Sequence, residues 1–215
     1  MEAFMRSDQF HFIKQQTQNL INAHSSANDK AVLQAVKAMA LERAIQLFPE
    51  LSAEQRDLLN NIVHVKAKED AEVYLGELKP FVIPFQSISE KTLQKLFPKV
   101  KKLKMPSLGV YDLKEISYLA WDDKGTFKRY LIAHYNDKLV GLHGIFTPAI
   151  QKSICTICNK HTPVGLFSVE TKGQILDTYT SRGNYICQDS MACNMHVTSL
   201  EKVQEFVETL QAKVN

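Results

Sequence analysis

Long apolar runs are missing from this chain. No stretch approaches the roughly 18 consecutive apolar residues of a membrane-spanning helix, so the sequence predicts a soluble protein. A secretory opening is also missing, because Met1-Glu-Ala-Phe-Met-Arg6 leads into no apolar signal core. The expected compartment is therefore the cytoplasm, where thiols stay reduced and a disulfide framework is not expected. Glycine is sparse, at eight residues, and it forms no phosphate loop, dinucleotide fingerprint or nucleophile elbow. Asp122, Asp123 and Asp189 lack a paired carboxylate at any hydrolase spacing. Together these absences predict a protein that is not an enzyme.

Cysteine is nearly absent as well, and its placement is informative. The chain has only four, Cys155-x2-Cys158 and, after 28 intervening residues, Cys187-x5-Cys193. Two close pairs of thiolates match what a tetrahedral zinc ion requires, with no coordination position left open for catalysis. A redox Cys-x-x-Cys opens a helix after a strand. Here Asn159-Lys160-His161-Thr162-Pro163 reads as a polar turn, followed by the strand-like Val164 to Val169. That order predicts a metal knuckle leading into a hairpin and one structural Zn2+ on Cys155, Cys158, Cys187 and Cys193. Unrelated free thiols in a core are the main alternative. His161 and His196 flank the cysteines as spare or supporting residues.

Residues 7–80 read as helix. Phe10, Ile13, Thr17, Leu20 and Ile21 repeat at helical spacing behind Ser7 as cap, and Val32, Val36, Met39, Ala40, Ala44 and Leu47 form a second stripe entered through Asn28-Asp29. A third helix starts at Ser52, with Gln55 completing a capping box, and carries Leu58, Leu59, Ile62 and Val65. A fourth places Ala71, Tyr74, Leu75 and Leu78 on one face and stops before Pro80. Short turns between four helices predict an antiparallel bundle, a scaffold without catalytic features.

Beyond residue 80 the pattern changes. A short helix capped by Ser89 covers Leu93 to Phe97, then Ile116–Trp121, Tyr130–Tyr135 and Leu139–Phe146 read as three antiparallel strands joined by turn-forming residues. A terminal helix carries Leu200, Val203, Phe206, Val207 and Leu210, with Thr198 and Glu201 as its expected capping box. The predicted fold class is α+β in two domains: residues 1–80 as the helical bundle, and residues 81–215 as an antiparallel-sheet domain with its metal segment at about 150–198. No heptad seam is present, and a monomer is expected.

The formal charge of +3 is unevenly spread. Residues 81–150 carry eleven Lys/Arg against six Asp/Glu. Within that segment Lys91, Lys95, Lys99, Lys101, Lys102 and Lys104 form a run without an acid. Lys99, Lys101, Lys102 and Lys104 are candidate polyanion-facing residues, which supports an alternative reading as a ribosome- or RNA-binding zinc module. A solvated face beside Leu93, Leu96, Phe97 and Val100 is the simpler explanation of the run. Beside the cysteines, Arg182 and Tyr185 lie on a short strand that a metal would hold rigid, making them candidate recognition residues. Packing of Tyr185 on the terminal helix near Phe206 is the alternative.

Cys155-Thr-Ile-Cys-Asn-Lys and Gly183-Asn-Tyr-Ile-Cys-Gln-Asp-Ser-Met-Ala-Cys193-Asn194 resemble the zinc segment of the FusB-type fusidic acid resistance proteins, also called elongation factor G-binding proteins. Phe81-Val-Ile-Pro-Phe, Leu93-Gln-Lys-Leu-Phe-Pro-Lys-Val-Lys-Lys and Tyr111-Asp-Leu-Lys extend the resemblance along most of the chain. It implies a helical N-terminal domain and a treble-clef-like zinc domain. It further implies binding to elongation factor G on or near the ribosome and rRNA. Release of that factor there would give resistance by target protection, without chemistry on the drug. The family's zinc ligands fall on the four cysteines, and its partner-binding positions on Ile154, Arg182, Tyr185 and Phe206. Ile154 stands where the family places an aromatic residue, and Arg182 where a lysine occurs.

Overall fold

The computed structural model describes residues 1–100, 103, 104, 106, 108–123, 125–172 and 179–211. They divide into two compact units, Met1–Pro84 and Phe85–Asn215. No described helix is long and apolar enough to cross a membrane.

The first unit contains α1 (Ser7–Ser26), α2 (Lys30–Gln46), α3 (Ala53–Asn60), a 3-10 turn at Asn61–His64, and α4 (Lys68–Leu78). Ser52 and Gln55 form the expected capping box on α3, and the Asp29 carboxylate caps α2 by accepting from Ala31 N–H. The first helix begins one residue differently from expectation. Ser7 is already helical and Arg6 is the cap, with the Gln9 side chain accepting from Arg6 N–H at 2.9 Å. Phe10, Ile13, Leu20, Leu59, Ile62, Tyr74 and Leu78 meet in one core. The stripe on α2 is only half used: small Ala40 and Ala44 are buried, while Val32 and Met39 remain exposed. Val36 and Leu47 pack against that core as partly buried residues, and the two alanines let neighbouring backbones approach closely. The N-terminal segment is fastened to the end of the helical run, since Phe4 N–H donates to the Phe81 carbonyl and Ile83 N–H to the Met5 carbonyl.

The second unit is built on a five-stranded antiparallel meander: β1 (Tyr118–Asp123), β2 (Lys128–Tyr135), β3 (Lys138–Ile154), β4 (His161–Lys172) and β5 (Tyr179–Cys187), in that order. Asn136 and Asp137 both adopt positive φ and close the two-residue turn between β2 and β3. The sheet extends beyond the three predicted strands. β3 runs on from Phe146 to Ile154 through an irregularity between Pro148 and Lys152, and so joins the zinc segment to the meander as one surface. Gly144 allows this close pairing, because a Cβ there would lie 2.0 Å from the Ser168 carbonyl oxygen.

Both faces of β1 and β2 are covered, which explains their nearly continuous apolar runs. Leu119, Tyr130 and Ile132 pack with Leu93 and Phe97 around the short α5 (Glu90–Leu96), which Ser89 caps as expected. Tyr118, Ala120, Leu131 and Ala133 face the opposite core with Phe167, Val203, Phe206, Val207 and Leu210. The last four belong to the terminal helix (Glu201–Gln211), which follows a short helix at Ser190–Asn194. We number these α7 and α6, respectively. At the start of α7, Ser199 Oγ accepts from Glu201 N–H, one position later than the Thr198 cap expected from sequence.

Candidate metal centre and partner-facing sheet

The first cysteine pair lies in the tight turn between β3 and β4. Asn159 N–H donates to the Cys155 carbonyl at 2.9 Å and Cys155 N–H to the Lys160 carbonyl at 3.0 Å. Positive φ at Asn159 lets the chain reverse there, a conformation that asparagine tolerates well. The second pair spans the end of β5 and α6. Cys187 closes the strand, and the Asp189 carboxylate caps α6 by accepting from Met191 and Ala192 N–H. This cap turns Cys193 back toward the knuckle.

All four sulfur atoms lie within 4.8 Å of one another, and all four cysteines are buried. Cys155 Sγ is 3.8 Å from Cys193 Sγ, and Cys158 Sγ is 3.5 Å from Cys187 Sγ. Disulfide sulfurs would be about 2.05 Å apart, so these are four thiols. Tetrahedral zinc with Zn–S bonds of about 2.3 Å sets sulfur pairs about 3.8 Å apart. The donor set therefore fits a single zinc ion and leaves no position open. Sharing protons within so small a cluster is uneven: hydrogen bonds from Cys158, Cys187 and Cys193 hold Cys155 far below the usual thiol range, while those from Cys155, Cys158 and Cys187 push Cys193 far above it. A dication replaces those shared protons and stabilises all four thiolates together.

Three groups that sequence reading did not single out hold this centre in place. Arg129, only 4% exposed, donates from Nη1 to the Cys187 carbonyl and from Nη2 to the Gln188 carbonyl, each at 2.7 Å. It also forms a two-pronged ion pair with Asp122, at 2.6 and 2.8 Å, and its guanidinium carbon lies 3.5 Å from the Phe146 ring centroid. Asn194 is a second brace. Its amide oxygen accepts from Ser117 and Tyr118 N–H, and its nitrogen donates to the Tyr118 and Ser190 carbonyls. The third, Tyr118, is fully buried and hydrogen bonds to Cys193, and burial pushes its hydroxyl well above the usual range. The one legible signal was alternation, which places the charged Arg129 on the same inward side as Leu131 and Ala133.

The expected partner-binding residues fall in different places. Tyr185 is 46% exposed and Ile154 51%. They are joined through the knuckle, since Thr156 donates to the Tyr185 carbonyl from both N–H (2.9 Å) and Oγ1 (3.0 Å). Leu166, the register partner of Tyr185 on β4, is 37% exposed on the same face, and sequence reading did not single it out because cross-strand register is not encoded locally. Arg182 pairs with Val169 and stands three residues from Tyr185, so it faces the other side of β5. Phe206 is 1% exposed and packs with Phe167 at 6.1 Å. It is a core residue, corrected from its expected place on the surface: the stripe that makes α7 amphipathic is the stripe that buries it. Tyr185 is not beneath that helix but in the open.

Of the basic residues, Lys99 and Lys104 line a cleft on the same unit, while Lys101 and Lys102 lie outside the described residues. His161 is exposed, and His196 uses Nδ1 on the Ala192 carbonyl at 2.8 Å. Neither belongs to the sulfur cluster found among the described residues.

Comparison with known proteins agrees with this geometry. Residues 4–86 match the family described as "Elongation factor G-binding protein, N-terminal", and residues 96–214 match "FBP C-terminal treble-clef zinc-finger". No curated protein matches the chain. Among solved structures, the fusidic acid resistance protein FusC is 32% identical with a TM-score of 0.86, over 97% of this chain and 98% of that one. With two family domains spanning nearly its full length and one structural zinc on four buried cysteines, the chain belongs to the FusB-type family of elongation factor G-binding, fusidic acid resistance proteins.

Proposed function

We propose that this protein binds elongation factor G through the open sheet face beside its zinc centre and promotes release of that factor from the ribosome. In this way it protects translation from fusidic acid. The observation that carries the reading is the exposed cross-strand pair of Tyr185 and Leu166 on strands that the metal holds together, with Ile154 exposed at the end of β3. Rigid aromatic and aliphatic groups on a fixed backbone lose little entropy on binding, which is what an interface anchor requires. The zinc takes no part in chemistry: it sets the end of β5 against the knuckle. The drug is not a substrate, and the effect is a shift in the factor's dissociation equilibrium. Arg182, on the opposite face of β5, reaches a partner only if that partner wraps around the strand edge.

The test is a quantitative pull-down of elongation factor G, paired with a translation assay stalled by fusidic acid. Tyr185→Ala should weaken binding by about tenfold or more, as expected of an interface anchor, while leaving the unfolding midpoint unchanged. Arg182→Ala should have a smaller effect. A folded Tyr185→Ala protein that binds as tightly as wild type would remove this face from the account. Binding without recovery of stalled translation would retain the partner and sink the release step.

A further inference from the structure

A cleft of about 350 Å³ opens where the segment after α5 meets the β1–β2 turn. Lys99 and Lys104 reach it from that segment and Lys128 from β2, while Tyr130 and His143 are among its remaining walls. Lys99 and Lys104 belong to one charge run, but Lys128 lies far from them in sequence, and no run predicts that it joins them. Among the described residues, none of the three makes an ion pair within 4 Å. The one carboxylate in the lining, among the described residues, is Asp123. It accepts from the Thr126 hydroxyl at 2.7 Å and from Gly125 N–H at 3.1 Å, and its single negative charge, which Lys104 and Lys128 also stabilise, offsets only part of the three positive ones. His143 adds little charge, since desolvation and then the nearby Lys128 hold its imidazole below the usual range.

Converging ammonium groups in a concave site repel one another and attract anions far more strongly than the same charges dispersed on a surface. The side walls are not uniformly charged. Val100 and Leu103 contribute apolar surface, and the Tyr130 ring stacks against Trp121 at 5.4 Å. We propose that this cleft binds a nucleotide phosphate, with Lys99, Lys104 and Lys128 around the oxyanion and the apolar wall beside the sugar or base. The phosphate comes either from a free nucleotide or from an RNA strand; in both cases the recognised group is the same. The site is separate from the Tyr185 face and does not depend on elongation factor binding.

Trp121 is the only tryptophan of the chain and lies one ring away from the cleft, so its fluorescence reports occupancy. The full-length protein is titrated with AMP, with adenosine, and with a ten-nucleotide single-stranded RNA at several salt concentrations. AMP or RNA should change the Trp121 signal and adenosine should not. Saturation by AMP alone identifies a free-nucleotide site. An RNA response that weakens with salt by about 0.7 log units per log unit for each phosphate neutralised identifies an RNA site. Lys104→Gln/Lys128→Gln should weaken the response by about tenfold, in keeping with the loss of two phosphate contacts, and Lys37→Gln in the first unit should leave it unchanged. If the half-buried Lys128 does not tolerate replacement, Lys99→Gln/Lys104→Gln replaces that pair. No response to either phosphate ligand, or equal binding by a folded lysine variant, overturns the proposal.

Discussion

Arg129 concentrates on one guanidinium what the zinc segment needs from the rest of the sheet. It neutralises Asp122, covers the Phe146 ring, and satisfies the Cys187 and Gln188 carbonyls at the second half of the metal site. Truncation leaves those carbonyls unpaired in a buried place. Arg129→Met is therefore expected to cost about 3 kcal/mol in urea unfolding and to speed zinc loss to a chelator. Arg129→Lys keeps the charge but not the planar fork, and should fall between Arg129→Met and wild type. Equal stability of Arg129→Met and wild type would show that the sulfur–metal bonds alone fix the segment.

Among the elements, α4 shows how a backbone terminus acquires a pH dependence. The Asp70 carboxylate accepts from Lys66 and Ala67 N–H, each at 3.0 Å. The bond from Lys66 N–H, followed by that from Ala67, lowers its pKa below the usual value. A depressed folded pKa means that the stabilisation is complete above the unfolded value of about 4 and disappears as pH falls through the lower folded value. The difference in melting temperature between wild type and Asp70→Asn should thus be largest near neutrality and shrink below about pH 4. A constant difference down to pH 2.5 would assign the cap to geometry rather than charge. The capping residues Ser52, Ser89 and Asp29 were legible in the sequence because a cap is local chemistry, set within three or four positions. The length of β3 was not. Its second half crosses a proline and an irregularity, and only pairing with β4 makes Lys152–Ile154 part of the sheet.

Across the whole molecule, each unit has its own core, and only the second contains the cysteines. Stripping zinc with a strong chelator at pH 7 should therefore reduce the β-sheet signal and abolish elongation factor binding, while most of the helical signal of residues 1–84 persists. Metal analysis of the intact protein should give one zinc per chain, with X-ray absorption showing four sulfur neighbours at about 2.3 Å. Loss of both signals together on chelation would mean that the helical unit depends on the zinc unit for its fold.

The sequence by itself determined the ligand set, the caps at Asp29, Ser52 and Ser89, and the class of fold. Thiol spacing, caps and apolar periodicity act over a few residues and can be read without knowing what lies opposite. Only the tertiary structure decided which side chains are free to meet a partner. Phe206 and Tyr185 are both aromatic and near the metal, yet one fills the core and the other stands on the open face. Likewise, Lys128 joins Lys99 and Lys104, and Arg129 reaches the Cys187 carbonyl, across sequence separations that no local pattern encodes. Exposure and convergence depend on the register of five strands, because a one-residue slip exchanges the two faces of a sheet.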